Sequence, residues 1–243
     1  MKSRYLLTVG LVGILSVLSA FAAQRGESKD DKASTPTTNS PRFAELVRAD
    51  FFAGMQGDRA RFERAMQLCE TTLAKTPEDA EAMVWHGSGL LIRSAQAGQA
   101  KDVKSEVLFQ KGLDEMDRAV VLAPDSPSVL LPQGATLLSV SAAPISPELS
   151  KKLLRQGVED YEKVLRLQAS YFATLPLHAR GELLSGLADG WHRLGDEGKA
   201  LEYYQRIVRE CAGSSYASNS EIWLNHRVST DWHPTCQGCH VKR

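Results

Sequence analysis

The side chains with the clearest chemistry lie at the C-terminal end of the chain, which reads Cys236-Gln237-Gly238-Cys239-His240-Val241-Lys242-Arg243. Two thiols at this spacing lie on one side of a helix-like turn, where they can form thioethers with the two vinyl groups of a haem. His240 follows at once and can bind the iron from the proximal side. The pattern predicts one covalent haem c, attached at Cys236 and Cys239, with His240 as the metal ligand.

Three other readings of these cysteines stay open at this point. The first is a Cys236–Cys239 disulfide, and the second is a redox-active pair of the thioredoxin type. A redox pair favours a helix N-terminus in a βαβ unit, whereas this pair follows Pro234 near the chain end. The third is a zinc site, which would need a further ligand such as His233.

The N-terminal residues 1–22 have the pattern of a secretory signal peptide. Lys2 and Arg4 give a basic start, residues 5–18 are apolar, and Ala20-Phe21-Ala22 is a small-x-small cleavage site. We expect a periplasmic or otherwise exported protein without a membrane span after cleavage. The alternative is an uncleaved N-terminal anchor. Export would place the cysteines in an oxidising compartment, where free thiols tend to pair.

Composition narrows the class of partner. The chain has 243 residues, with 29 Lys and Arg against 29 Asp and Glu, so the net charge gives no argument for nucleic-acid binding.

Residues 23–41 have almost no apolar side chain and cannot bury a core. They are predicted to be a disordered linker.

From Arg42 onward the apolar residues recur at three and four positions, which predicts an all-α fold. Cys69 lies on one such stripe and is expected to be a buried, small apolar residue. Two blocks of apolar and glycine positions then repeat at nearly one period, which indicates an array of helical hairpins. Residues 94–107 and 139–150 are expected to be loops within two of these hairpins. The matched positions are Met83, Val84, Gly87, Leu90 and Leu91 with Leu130, Leu131, Gly134, Leu137 and Leu138, and Phe109, Gly112, Leu113, Met116, Ala119 and Val120 with Leu154, Gly157, Val158, Tyr161, Val164 and Leu165.

The last hairpin resembles a tetratricopeptide repeat. Trp191 stands at the aromatic position of the first helix, Gly195-Asp196 at the turn and Ala200 at the helix crossing. The resemblance implies a right-handed α-solenoid of about four hairpins over residues 42–212, with a concave groove that binds protein partners. Residues 213–243 are predicted to form a capping helix and the haem-binding tail. The arrangement as a whole resembles exported bacterial tetratricopeptide-like proteins that end in a single Cys-x-x-Cys-His motif.

Only three residues follow His240, so we expect no separate cytochrome fold and expect the solenoid or a partner to cover the haem. Trp223 and Trp232 are candidates for packing on the porphyrin, and the alternative is that they fill the cap. The sixth iron ligand stays open, and water or an empty position is an alternative to a side chain. The candidates are Met55, Met66, Met83 and Met116, which are expected in the core, His86, which is expected to be structural, and His178, His192, His226 and His233.

These patterns together predict an exported, monohaem, c-type cytochrome-like protein that exchanges electrons with a redox partner docked on the concave surface. The chain has no Gly-x-Ser-x-Gly, His-Glu-x-x-His or P-loop sequence. An electron carrier or scaffold is therefore favoured over an enzyme. One alternative is an interaction scaffold without haem, and another is a haem enzyme or sensor with an open iron position.

Overall fold

The computed structural model describes residues 42–99 and 104–227, which form α-helices joined by turns. The predicted all-α class is thereby confirmed for this part of the chain. The predicted signal peptide and linker lie outside the described residues. The helices are α1 (Phe43–Met55), α2 (Arg59–Lys75), α3 (Ala80–Gln99), α4 (Lys104–Leu122), α5 (Pro127–Val140), α6 (Pro147–Leu167), a 3-10 turn (Phe172–Thr174), α7 (Leu177–Arg193), α8 (Glu197–Glu210) and α9 (Ser215–His226).

Consecutive helices pack in pairs: α1 with α2, α3 with α4, α5 with α6, and α7 with α8. Alternate helices also touch, because α3 contacts α1 and α5, and α7 contacts α5 and α9. The final helix, α9, packs on α8 and α7. Each of the helices α1 to α7 therefore buries a side against both its pair partner and a helix of a neighbouring pair, and α8 is covered by α9.

The core consists of two clusters of buried apolar side chains. The first is formed mainly by α1 to α4 and is filled by Phe51, Phe62, Met66 and Met116. The second runs from α5 to α9 and includes Tyr161. Most of these side chains belong to the helical stripes, so the three- and four-residue periodicity predicts much of the buried surface of the helices.

Glycine pairs bring two of the helix pairs into close backbone contact. A Cβ on Gly87 of α3 would lie 2.7 Å from the carbonyl oxygen of Gly112 in α4. A Cβ on Gly134 of α5 would likewise lie 3.1 Å from the carbonyl oxygen of Gly157 in α6. The four glycines are those that repeat in sequence, and they stand where the helices cross without room for a side chain.

The first predicted insertion is mostly helix rather than loop. Residues 94–107 were expected to form a loop, but α3 continues to Gln99 and α4 begins at Lys104. Ser94 and Ser105 link these extensions, because the Ser94 Oγ donates to the Ser105 carbonyl at 2.7 Å and the Ser105 Oγ donates back to the Ser94 carbonyl at 2.9 Å. The additional residues therefore lengthen both helices of the pair.

The second insertion contains the expected loop only between α5 and α6, at residues 141–146. Pro147 stands in the first turn of α6, where its missing N–H costs nothing, and the Ser146 side chain caps the helix by accepting from the Leu149 N–H. Proline here starts a helix, so the end of the predicted loop, residues 147–150, is helical.

Two turns depend on glycine in the left-handed region. Gly57 has φ of +100° between α1 and α2, and Gly195 has φ of +83° between α7 and α8. Gly54 does not break the first helix, because α1 continues through it to Met55. A Cβ on Gly54 would meet the Phe62 side chain, so this glycine serves helix packing rather than chain reversal.

None of the described helices is both long enough and apolar enough to cross a membrane.

Candidate functional site

The three residues predicted to hold haem, Cys236, Cys239 and His240, lie outside the described residues. The same is true of Trp232 and His233. The part of the predicted site that the structure does describe is the support from which the tail leaves, built from α7, α8 and α9. The positions of its aromatic, cationic and histidine side chains follow from how α9 is held.

The final helix forms where the sequence predicts a cap. The Ser214 side chain accepts from the Ala217 N–H and so starts α9, which runs from Ser215 to His226. Tyr216 and Trp223 lie on its buried face, two turns apart. The structure has a helix at this position, and it packs on α8 and on part of α7.

Trp223 fills the contact between the cap and α8. Its indole stacks on the Tyr204 ring with centroids 4.1 Å apart and planes 19° apart, and the His192 ring meets it edge-on at 5.4 Å. Only 2% of Trp223 is exposed. Its role is therefore to pack the cap, and the suggestion that Trp223 lies against a porphyrin face is corrected because protein side chains already cover the ring.

Arg227, the last described residue, lies over the ring of this same tryptophan. Arg227 adopts a left-handed conformation with φ of +54°, and its guanidinium carbon lies 4.6 Å from the Trp223 ring centroid, within cation–π range. Cys236 lies nine positions after Arg227, so covalent geometry keeps the two Cα atoms within about 32 Å. The chain length alone therefore allows Cys236 to reach the α7–α9 surface.

His192 is the candidate ligand with the most suggestive surroundings. Its Nδ1 lies 2.7 Å from Glu197 Oε1. A carboxylate can only accept, so Nδ1 carries the proton, and the nitrogen that can offer a lone pair to a metal is Nε2. Metal-ligating histidines commonly have this arrangement, with one nitrogen held by a carboxylate and the other on the metal. The side chain is 34% exposed and lies next to Trp223.

The other two described histidines near the cap differ from His192. The His178 Nδ1 is 2.8 Å from the Tyr216 hydroxyl, and its Nε2 is 3.5 Å from Glu182, so both ring nitrogens already face polar groups. His226 is exposed in the last turn of α9.

The remaining candidates for an iron ligand belong to the helical core. His86 is 7% exposed and its Nδ1 lies 2.5 Å from Glu115, which confirms its predicted structural role. Met66 and Met116 are fully buried, and Met83 is 5% exposed. Met55 is half-buried at the end of α1. The prediction that the methionines mostly fill the core is confirmed for Met66, Met83 and Met116.

The two described cysteines are buried thiols, Cys69 within α2 and Cys211 directly after the end of α8. Burial raises the pKa of the Cys69 thiol to about 12 and also raises the pKa of Cys211. A thiol with a raised pKa is a poor nucleophile and a poor ligand, because both roles need the thiolate. The expectation that Cys69 is a small core residue is confirmed.

Within residues 42–99 and 104–227, no three His, Cys, Asp or Glu side chains are grouped so that they could hold a metal ion. No family model matches the chain, and a search of curated proteins found no match either. The assignment of a function therefore depends on the motif, the described support and their chemistry.

Proposed function

We propose that this protein is an exported, monohaem, c-type cytochrome-like protein that exchanges electrons with a protein partner. Cys236 and Cys239 hold the haem covalently, and His240 is the proximal ligand. The observation that carries the proposal is the Cys-x-x-Cys-His sequence in a chain with an export-type N-terminus. When bound, the haem supplies one-electron chemistry at its iron.

The described helices support a scaffold of the tetratricopeptide type. They pack in consecutive pairs, alternate helices touch, and two of the pairs cross at repeating glycines. In a solenoid of this kind the stacked pairs form a right-handed superhelix of about four hairpins, whose concave face docks the redox partner. The scaffold itself does no chemistry; it presents the haem and the docking surface together.

His192 is the described side chain best suited to be the second axial ligand. Glu197 fixes its tautomer, so Nε2 is the nitrogen offered to a metal. It lies beside Trp223, over which Arg227 begins the tail that carries the motif. Two protein ligands on the iron favour electron transfer over ligand binding.

The first test is covalent haem attachment. The full chain is expressed in an exporting host with a haem c maturation system, purified and denatured in acid and organic solvent. We expect haem absorbance to stay with the polypeptide, and to be lost in the Cys236→Ala, Cys239→Ala double variant. Cys211→Ala is the matched control, because that cysteine lies outside the motif, and it should keep the colour.

A colourless, fully exported protein under these conditions would refute the proposal. It would favour the alternative of an interaction scaffold whose C-terminal cysteines form a disulfide or a metal site. Mass spectrometry with and without reductant, together with metal analysis, then separates those two states.

The second test concerns the axial ligand. In the haem-loaded protein, His192→Ala should convert a six-coordinate spectrum to one that changes on addition of cyanide or carbon monoxide. His226→Ala tests the exposed histidine candidate in the last turn of α9 and should leave the spectrum unchanged. An unchanged six-coordinate spectrum in His192→Ala would reject His192 and favour another side chain as the ligand. An iron that already binds cyanide in the unaltered protein would favour an open haem site.

A further inference from the structure

Two helix crossings in this protein are built in the same way but differ in one polar side chain. His86 precedes Gly87 in α3, and Gln133 precedes Gly134 in α5, with both glycines in close contact with the next helix. His86 and Gln133 therefore stand at equivalent places. On the partner helix, Glu115 of α4 and Asp160 of α6 are likewise equivalent, since each lies three residues after the crossing glycine of its helix.

At the α2–α3–α4 junction, the imidazole of His86 lies between two carboxylates. The His86 Nδ1 lies 2.5 Å from Glu115 and its Nε2 lies 3.8 Å from Glu70. A protonated imidazole has an N–H on each side and can serve both carboxylates at once. At this junction the two carboxylates thus have a donor available.

The α4–α5–α6 junction has an amide in place of the imidazole. Gln133 donates from Nε2 to Asp117 Oδ1 at 3.0 Å, and Gln156 donates to the same oxygen at 2.7 Å. Because His86 contacts Glu115 at the first junction, the equivalence of positions implies that the Gln133 Oε1 and Asp160 face each other at the second. Both the Gln133 Oε1 and the Asp160 Oδ2 are buried, and neither has a hydrogen-bond partner among the described residues.

Two oxygen acceptors cannot satisfy each other unless one of them carries a proton. Gln133 is 1% exposed and Asp160 is 9% exposed, so bulk water cannot serve them either. Leaving both unpaired would cost the full desolvation penalty of two buried polar groups. A single proton on Asp160 gives both oxygens a hydrogen-bond partner, because the carboxylic acid can then donate to the amide oxygen.

The charges around Asp160 also favour the protonated form. Desolvation is the main cause that raises the pKa of Asp160, to about 7, and the Asp117 and Glu159 carboxylates add to it, while Lys163 opposes it. Lys163 also pairs with Asp125, at 2.9 Å.

The other helices around this part of α6 bring no further charge to Asp160. Helix α5 has no charged side chain. Helix α7 meets this part of α6 through glycines, with Gly186 against Tyr161 and Gly190 against Val158. The charged groups that act on Asp160 are therefore those of α4 and of α6 itself.

We propose that Asp160 is a proton-binding site, a carboxylic acid in the folded protein below neutral pH that donates a hydrogen bond to Gln133 Oε1 and joins α6 to α5. Its ionisation puts a charge against an amide oxygen and weakens the α4–α5–α6 junction. The site acts as a pH-sensitive contact within the scaffold. It is independent of whether haem is attached, since every group in it lies within the helical domain.

The sign of the effect follows from linkage. The folded pKa of about 7 lies above the ordinary value of 3.8, so the folded protein binds one proton more than the unfolded chain between these pH values. The proton on Asp160 stabilises the fold fully below the ordinary pKa, and this stabilisation is lost as the pH rises through the folded pKa. Relative to a variant without this carboxyl, the unfolding constant should rise by up to about tenfold per pH unit in this window and then level off.

The experiment compares the full-length protein with Asp160→Asn, whose amide keeps a donor for Gln133, by urea unfolding from pH 4 to pH 9. The ratio of the two unfolding constants is expected to rise across the acidic range and level off at about neutral pH. Asp114→Asn is the control, because it removes an exposed carboxylate from α4 and reports the effect of losing one surface charge. A ratio that does not vary with pH would overturn the proposal.

A direct titration covers the case in which the variant fails to fold. Carbon-13 NMR of the aspartate carboxyls in the unaltered protein follows Asp160 itself, with assignment from neighbouring backbone resonances. The proposal requires this carboxyl to remain protonated at pH 6. A carboxyl already ionised at pH 5 would show that another donor or a cation serves the two oxygens, and the proposal would be wrong.

Discussion

Replacement of Trp223 by alanine tests whether the cap is held to the scaffold in the way the contacts indicate. Truncation of a buried tryptophan costs about 3–5 kcal/mol, of which aromatic stacking contributes about 0.5–1.5 kcal/mol. Trp223 is 2% exposed and stacks on Tyr204, so the full effect applies. Its Nε1 is buried without a partner among the described residues. Removal of that polar atom offsets part of the loss, so we expect about 3 kcal/mol.

The assay is urea unfolding of the full chain followed by far-ultraviolet circular dichroism. Trp223→Phe keeps a ring against Tyr204 and should lose less than Trp223→Ala. Ile222→Ala is the matched control, because Ile222 is the preceding residue of α9 and is 41% exposed. A surface change of this kind is expected to cost no more than about 0.5 kcal/mol.

The reasoning would be refuted by a Trp223→Ala variant that is as stable as Ile222→Ala. That result would mean that α9 does not depend on this contact, and that the Trp223–Tyr204 stack does not hold the cap on α8. An altered dependence of the unfolding free energy on urea concentration would instead indicate that α9 unfolds separately from the other helices.

Two further expectations concern particular turns and thiols. Gly195→Ala forces a side chain into a backbone with φ of +83° and should cost about 1–2 kcal/mol, whereas Gly198→Ala lies within α8, makes only an ordinary contact and should gain about 0.4–1 kcal/mol. Urea unfolding checks both, and a neutral Gly195→Ala would contradict the turn argument. Cys69 and Cys211 should resist thiol reagents at pH 8 until the protein unfolds, because both are buried with raised pKa values. Rapid labelling of the folded protein at either cysteine, located by peptide mapping, would show that its helix opens readily.

Much of the helical architecture could be predicted from periodicity and turn chemistry. The α7–α8 pair is the clearest case, since its apolar stripes, the Gly195 turn and the Asp196 cap are all local features. The structure of the insertions was harder to predict. Residues 94–107 contain no proline, and whether they form a helix or a loop depends on a contact with another helix. The Ser94–Ser105 hydrogen bond between α3 and α4 supplies that contact only once the pair has formed.

In the candidate site, too, the local features could be predicted from the sequence and the tertiary contacts could not. The cysteine spacing and the adjacent histidine can be read without any structure, because the chemistry of attachment is local to five residues. The surroundings of His192 could not be read, since both Glu197 and Trp223 reach it through the folding of other helices. Trp223 was a candidate for haem contact by residue type alone, and only packing shows that its ring is already covered.

The sequence by itself determined the helical class, the apolar faces, the glycine positions and the Cys236–His240 motif, because each depends on residues close together in the chain. The tertiary structure decided which polar groups lose their contact with water. Asp160 is one of several acidic residues on α6 by sequence, and its burial is set by how α6 packs against the neighbouring helices. Desolvation and unpaired acceptors are properties of a packed interior, so they arise only when helices distant in sequence come together.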